Sequence, residues 1–175
     1  MKTKLFTAIL LLSIFTNGCK KEDTTEYQPK GAYGNANMVT SGTYNPTNWF
    51  SVSNDGTNFE FTATVSCADV TQTVKDKGIV MVYGDDGSGN WLALPFTDNS
   101  SGANGHSIKF GYYFSVGIVT LVYEGFDNAG SPTVNDLNGT LPVRVVTISQ
   151  ASKLANPNVD YNNYAEVREV FHLQQ

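Results

Sequence analysis

The chain has 175 residues, of which 16 are acidic and 11 are Lys or Arg, so its net charge is −5 at neutral pH. Because a surplus of acid repels phosphate groups, this composition argues against nucleic acid as a partner. The size suits one domain, with a core large enough to be stable without disulfides, and the chain contains only two cysteines.

Residues 1–18 have the composition of a bacterial export signal. Two lysines precede an apolar stretch, Leu5–Phe15, and the small or polar residues Thr16, Asn17 and Gly18 follow it. The apolar stretch is too short to cross a hydrocarbon layer of roughly 30 Å, which takes about 20 residues. We therefore expect cleavage after Gly18, which leaves nine basic residues against 16 acidic ones and no transmembrane helix.

Cys19 is the first residue after this cleavage point, and the segment that ends in it resembles a lipobox, the acylation signal of bacterial lipoproteins. Gly18 is the small residue that such a signal needs before its cysteine, whereas Thr16 stands where the usual residue is leucine. The resemblance implies acylation of Cys19 and attachment to membrane lipid. The alternative is an ordinary secretory signal that is cleaved nearby and leaves a free thiol.

A short charged stretch follows Cys19. Lys21, Glu22 and Asp23 resemble the export signal that directs some Bacteroidota lipoproteins to the outer face of the outer membrane. The resemblance implies a lipid-anchored protein on the extracellular face, and the alternative is that these charges only keep a linker solvated. Residues 19–38 contain hardly any aliphatic side chains and are predicted to form a flexible tether.

Residues 39–175 are predicted to form a single antiparallel β-sandwich. The clearest strand is FEFTATVSC, residues 59–67, where apolar side chains alternate with polar ones and Cys67 falls on the core side. HSIKFGYYFSV repeats this pattern, and IVMVYG, WLALPF, IVTLVYEGF and LPVRVVTIS are apolar enough for central strands. These segments predict six strands, or eight if NMVTSGTY and WFSVS also pair.

Two short helical segments interrupt the strand pattern. One helix or turn is predicted near residues 69–77, because Val70 and Val74 lie four apart and Gly78 is a C-terminal stop signal. The other helix is predicted near residues 163–172, where Asn163 and Glu166 have the spacing of a capping box.

No residue cluster in the sequence specifies a reaction or a cofactor. His106 and His172 are the only histidines, and together with Cys67 they do not form a recognisable zinc or catalytic pattern. Asp86, Ser88 and Asn90 alternate as oxygen donors, as in a calcium loop, but the apolar WLALPF that follows lacks the acidic ligand such a loop needs. A hairpin turn is the better interpretation of GDDGSGN.

Aromatic residues carry the remaining functional hypothesis. Trp91 opens a strand beside the polar loop, and Tyr113 falls on the strand face opposite Phe110 and Phe114. Exposed rings of this kind can stack on sugars, which makes Trp91 and Tyr113 candidate ligand contacts. The alternative, which the usual composition of sandwich cores favours, is that these rings fill the core or its edges.

The segment from VSCADVTQTVKDKGIVMVYGDDGSGNWLALPFT to GYYFSVGIVTLVY and RVVTIS resembles the C-terminal β-domain of small Bacteroidota outer-membrane lipoproteins. Many of these proteins carry collagen-like triplets after the acylated cysteine, and GAYGNANM fits that junction. The family's function is uncharacterised. We therefore expect a surface lipoprotein that acts as a non-catalytic binding, adhesion or structural module, with a glycan or an extracellular protein as its partner. The alternative is a secreted hydrolase with an unrecognised carboxylate pair.

Overall fold

The computed structural model describes residues 38–101, 106–126 and 133–174. Within these residues, nine strands form two antiparallel sheets, accompanied by four short helices. The strands are β1 (Val39–Tyr44), β2 (Phe50–Asn54), β3 (Phe59–Ser66), β4 (Ile79–Asp85), β5 (Trp91–Ala93), β6 (Phe96–Ser101), β7 (His106–Ser115), β8 (Ile118–Phe126) and β9 (Val143–Ile148). The helices are α1 (Gln72–Lys77), α2 (Val134–Leu137), α3 (Gln150–Ala155) and α4 (Tyr164–Phe171).

The two sheets have different strand orders. Sheet A is β1-β9-β4-β5 and sheet B is β2-β3-β8-β7-β6. All pairings are antiparallel, which confirms the predicted fold class of a mainly β protein with a sandwich arrangement.

The main core lies between the sheets and follows from the alternation in the sequence. In β3, Phe59, Phe61, Ala63 and Val65 are buried, and Cys67 just beyond the strand is also buried, as predicted. Val119 and Leu121 of β8 and Val143 and Val145 of β9 belong to the same cluster. Every second side chain of a strand points to one face, so this period-two pattern places the apolar set on the inner face.

A second apolar cluster covers the outer face of sheet A. Val39, Val146 and Ile148 of the sheet are buried together with Val167 and Phe171 of α4. Helix α4 begins where Asn163 accepts a hydrogen bond from the Glu166 backbone N–H at 3.3 Å, which is half of the predicted capping box. The C-terminal helix therefore forms a third layer on the sandwich.

The prediction of WLALPF as a single strand was wrong. The sequence WLALPF reads as a continuous central strand, but it is divided between β5 at the edge of sheet A and β6 at the edge of sheet B. The chain crosses between the sheets at Leu94 and Pro95, whose peptide bond is cis. Proline has no N–H to donate to a ladder, so it suits such a crossing. This division brings the strand number to nine instead of six to eight.

The helix near residues 69–77 is confirmed as α1, which Thr71 caps by accepting from the Val74 N–H at 3.2 Å. Helices α2 and α3 were not predicted, since each has at most six residues and little apolar periodicity.

Candidate ligand-binding groove

An open groove of about 660 Å³ lies on the outer face of sheet A, beyond the N-terminal end of α4. It separates the loop between β4 and β5 from the segment that leads into the helix. Its lining residues are Gly89, Asn90, Trp91, Leu92, Ala93, Arg144, Asp160, Asn162, Asn163, Tyr164, Ala165 and Arg168. The groove therefore combines two aromatic rings with amides, two arginines and one carboxylate.

The groove lies at the end of sheet A that is far from Val39. Val39 pairs with Ile148, which pairs with Ile79 at the start of β4, whereas Trp91 pairs with Asp85 at the end of β4. Asp85 lies six residue steps after Ile79 along the extended strand, or about 20 Å at 3.3 Å per step. The segment that precedes Val39 thus joins the domain at the end opposite the groove.

The loop from Asp85 to Asn90 forms one wall and is stabilised by its own carboxylates. Asp86 accepts hydrogen bonds from the backbone N–H groups of Ser88 at 2.8 Å and Asn90 at 3.1 Å, and from the Asn90 side-chain amide at 2.9 Å. Asp85 accepts from the backbone of Gly87 and Gly89, whose φ values are positive. The hydrogen bonds that Asp86 accepts, led by that from the Asn90 side chain, hold the pKa of Asp86 below its usual value.

The hydrogen bonds within this loop involve Asp86, Ser88 and Asn90, the three residues of the calcium hypothesis. The carboxylate of Asp86 is engaged with Ser88 and Asn90 inside a hairpin that joins β4 to β5, as the turn interpretation predicts. Within the described parts of the chain, no group of three His, Cys, Asp or Glu side chains has an arrangement that could hold a metal ion. Calcium binding at this loop stays the untested alternative to the turn.

Arg144 forms the floor of the groove, although it belongs to the central strand β9. Its side chain is only 7% exposed. The guanidinium donates from Nε to Thr43 Oγ1 at 3.1 Å and from Nη1 to the Gln174 carbonyl at 3.1 Å and to the Tyr164 hydroxyl. Three neutral acceptors therefore fix the plane of the guanidinium in this position.

Two aromatic rings pack against the same guanidinium. Its central carbon lies 4.7 Å from the centroid of Trp91 and 5.2 Å from that of Tyr164. Cation–π contacts of this kind stabilise a charge that has lost water. No Asp or Glu of the described residues forms an ion pair with Arg144, so within this part of the chain dipoles and aromatic rings hold its charge.

The opposite wall comes from the turn before α4 and from the helix itself. Asp160 accepts from the Asn162 backbone N–H at 2.9 Å and from the Asn162 side-chain amide at 3.3 Å, so it stabilises its own turn. Asn163 forms an isolated bridge with Leu92 of β5, which fixes the distance between the two walls. Arg168 lies one helical turn after Tyr164 and is partly exposed.

The structure separates the two aromatic residues that the sequence suggested as ligand contacts. Trp91 is half-buried in the groove on sheet A, where it packs against Arg144 and Tyr164. Tyr113 is 60% exposed on the outer face of sheet B, on the far side of the sandwich. The two rings therefore cannot contact one small ligand together.

Sequence reasoning missed Arg144, Tyr164 and Arg168 as members of the site. The available signal was a charged residue inside the apolar strand segment LPVRVVTIS, since a buried arginine has to find partners. The predicted acylation site Cys19 and the export signal Lys21, Glu22 and Asp23 lie outside the described residues, as do the signal peptide and nearly all of the tether.

In the described segments, no helix combines the length and the apolar character that a bilayer crossing requires. The sequence matches no protein-family model, and the comparisons with curated proteins and with solved structures gave no match.

Proposed function

We propose that this protein is a lipid-anchored envelope protein whose β-sandwich binds a glycan without transforming it. Acylation at Cys19 provides the anchor, and Lys21, Glu22 and Asp23 direct the protein to the extracellular face of the outer membrane. The lipobox-like segment and the charged stretch after it support this location. The attachment of the tether at the end of sheet A opposite the groove is consistent with a groove that faces away from the membrane.

The observation that carries the proposed binding role is the half-buried ring of Trp91 in an open groove beside several hydrogen-bonding side chains. Sugars present an apolar C–H face that stacks on indole, and hydroxyl groups that bond to amides and carboxylates. Asn90 and Asn162 supply amides and Asp160 a carboxylate around that ring. A cleft with aromatic walls and a few polar groups is the usual form of a small-ligand site.

The test compares Trp91→Ala with Tyr113→Ala in the soluble domain, on a glycan array and then by titration calorimetry. We expect Trp91→Ala to lower the affinity for the bound glycan at least tenfold, and Tyr113→Ala to leave it unchanged, because Tyr113 lies on the other sheet. Equal losses in both variants, or no bound glycan, would contradict the proposal.

A second experiment separates binding from hydrolysis, the alternative that the sequence left open. Glycosidases usually place two carboxyl groups beside the scissile bond. If the protein were such an enzyme, prolonged incubation with the bound glycan would release reducing sugar, and Asp160→Asn would abolish that release. We expect the glycan to be recovered intact.

The location is tested on intact cells by protease accessibility. We expect wild type to be removed by added protease and Cys19→Ala to be lost from the membrane fraction. A triple change of Lys21, Glu22 and Asp23 to Ala should leave the protein membrane-bound but protected. If the wild-type protein is membrane-bound but is not cleaved by the added protease, the proposed location on the cell surface is contradicted.

A further inference from the structure

Arg144 has the properties of an anion-binding residue rather than of a purely structural one. Arg144 is only 7% exposed. Its hydrogen-bond acceptors are the Thr43 hydroxyl, the Tyr164 phenol and the Gln174 backbone carbonyl. None of these acceptors carries a negative charge. A buried cation without a counter-charge lowers stability, because the interior replaces water poorly around an ion.

One nitrogen of this guanidinium, Nη2, has no hydrogen-bond acceptor among the described residues. Nε and Nη1 donate to protein atoms, whereas Nη2 donates to no described atom. Nη2 is also not among the buried atoms that lack a partner, which are Trp49 Nε1 and Thr62 Oγ1. Since Arg144 lines the groove, we take Nη2 to be open to the groove.

A second arginine lies in the same groove without a counter-ion. Arg168 forms no ion pair or side-chain hydrogen bond with a described residue, and it follows Tyr164 by one helical turn on the same helix face. Asp160, the one carboxylate among the lining residues, is engaged by Asn162 of its own turn. Among the described lining residues, the groove thus holds two arginines and one carboxylate, a surplus of one positive charge on a chain of net charge −5.

We infer that the glycan bound in this groove is an acidic one, with the carboxylate of a hexuronic acid residue seated between Arg144 Nη2 and Arg168. This inference rests on the proposed glycan-binding function. A carboxylate matches the planar donor geometry of a guanidinium, and it would supply the negative charge that Arg144 lacks. Trp91 then contacts the sugar ring that carries the carboxylate.

The experiment uses oligogalacturonate and oligoglucuronate, each with a carboxyl-reduced counterpart that keeps the linkage but carries no charge. We expect wild type to bind an acidic oligosaccharide at least tenfold more tightly than its reduced form, with an affinity that falls as salt is raised. Arg168→Gln should reduce this preference severalfold. Arg168 is partly exposed, so this variant keeps the fold.

Arg144→Lys provides a second measurement, because it keeps the charge and removes the planar fork. We expect it to lose most of the preference for the acidic sugar. Circular dichroism and urea unfolding show whether the variant is folded. If it is unfolded, Arg168→Gln and the salt dependence of binding test the acidic-glycan inference instead.

The outcomes separate this inference from the proposed function. Equal binding of acidic and reduced forms, or a preference for the reduced form, overturns the acidic-glycan inference and leaves glycan binding in place. If neither form binds but another glycan does, only the acidic-glycan inference fails, and if no glycan on the array binds, both fail. Equal affinity for a Glu-rich peptide of the same charge would also overturn the inference, since the site would then recognise charge without sugar.

Discussion

Gly78 gives a sharp test of how α1 is joined to the sheet. This glycine caps the C-terminal end of α1 and directly precedes β4, and its φ is −89°, which other residues can adopt. A Cβ added there would lie 2.4 Å from the carbonyl oxygen of Ile148 and 3.0 Å from that of Val74. The constraint is therefore contact with neighbouring backbone and not the torsion angle of the glycine.

The expected cost of Gly78→Ala follows from this contact. Ordinary contact of a Cβ begins near 3.4 Å, so the Ile148 carbonyl would have to move by about 1 Å. Ile148 pairs with both β1 and β4 and cannot move without disturbing two ladders. Overpacking of this kind costs about 1–3 kcal/mol. The loss of unfolded-state freedom returns about 0.4–1 kcal/mol. Since a shift of about 1 Å against sheet backbone belongs in the upper half of the overpacking range, about 2–3 kcal/mol, we expect a net loss of about 1–2.6 kcal/mol.

Gly111→Ala is the matched control in β7. A Cβ there would meet only Pro95 Cβ at 3.6 Å, which is an ordinary contact. The entropic effect then dominates, and this variant should be more stable than wild type by about 0.5 kcal/mol. Urea unfolding followed by tryptophan fluorescence measures both free energies, because Trp49 is buried. If Gly78→Ala were as stable as wild type, or if both variants lost the same free energy, the contact argument would be refuted.

Three further predictions concern single side chains. Thr62→Val should stabilise the domain by about 1 kcal/mol, because Thr62 Oγ1 is buried without a hydrogen-bond partner among the described residues and valine keeps the shape. Asn163→Ala should destabilise it by about 1 kcal/mol through loss of the cap on α4, whereas Asn162→Ala should have a smaller effect. Burial raises the pKa of Tyr83 above its usual value of 10.0, so the folded state retains a proton that the unfolded state releases, and stability should fall as the pH rises above about 10. Tyr83→Phe should weaken that fall.

Chemical unfolding at neutral pH measures the first two effects, and unfolding at several pH values between 8 and about 12 measures the third. A destabilised Thr62→Val would show that the hydroxyl has a partner after all. Equal effects of Asn163→Ala and Asn162→Ala would remove the capping argument. Stability that is constant above pH 10 would contradict the assigned tyrosine shift.

The strands were predictable where burial on one face imposes period two. Phe59, Phe61 and Val65 alternate with polar residues, and this pattern was sufficient to identify β3 and to place Cys67 inside. The pattern failed at WLALPF, because a change of sheet at Leu94 and Pro95 leaves the run of apolar residues unbroken. Only Leu94 of this segment is buried, and the two halves pair with different sheets, which the periodicity of a short segment cannot distinguish.

The groove was predictable only in part. Asn90 and Trp91 were singled out because a polar loop and an aromatic residue adjoin in the sequence. Arg144 lies 53 positions after Trp91, and it reaches that ring only because β9 lies next to β4, which pairs with β5 in turn. The helix that completes the site approaches from the C-terminal part of the chain, so its contribution depends on packing between distant segments.

The sequence by itself determined the class of fold, since its alternating apolar residues are buried between facing sheets, and it placed the C-terminal end of α1 at Gly78 and the start of α4 at Asn163. It also suggested the anchor and the address, which are encoded in contiguous residues. Only the tertiary structure decided which strands are neighbours, that Trp91 and Tyr113 lie on opposite sides, and that two arginines converge on one groove. The physical reason is range: hydrogen-bonded caps and strand alternation are local, whereas a binding site is a product of long-range pairing.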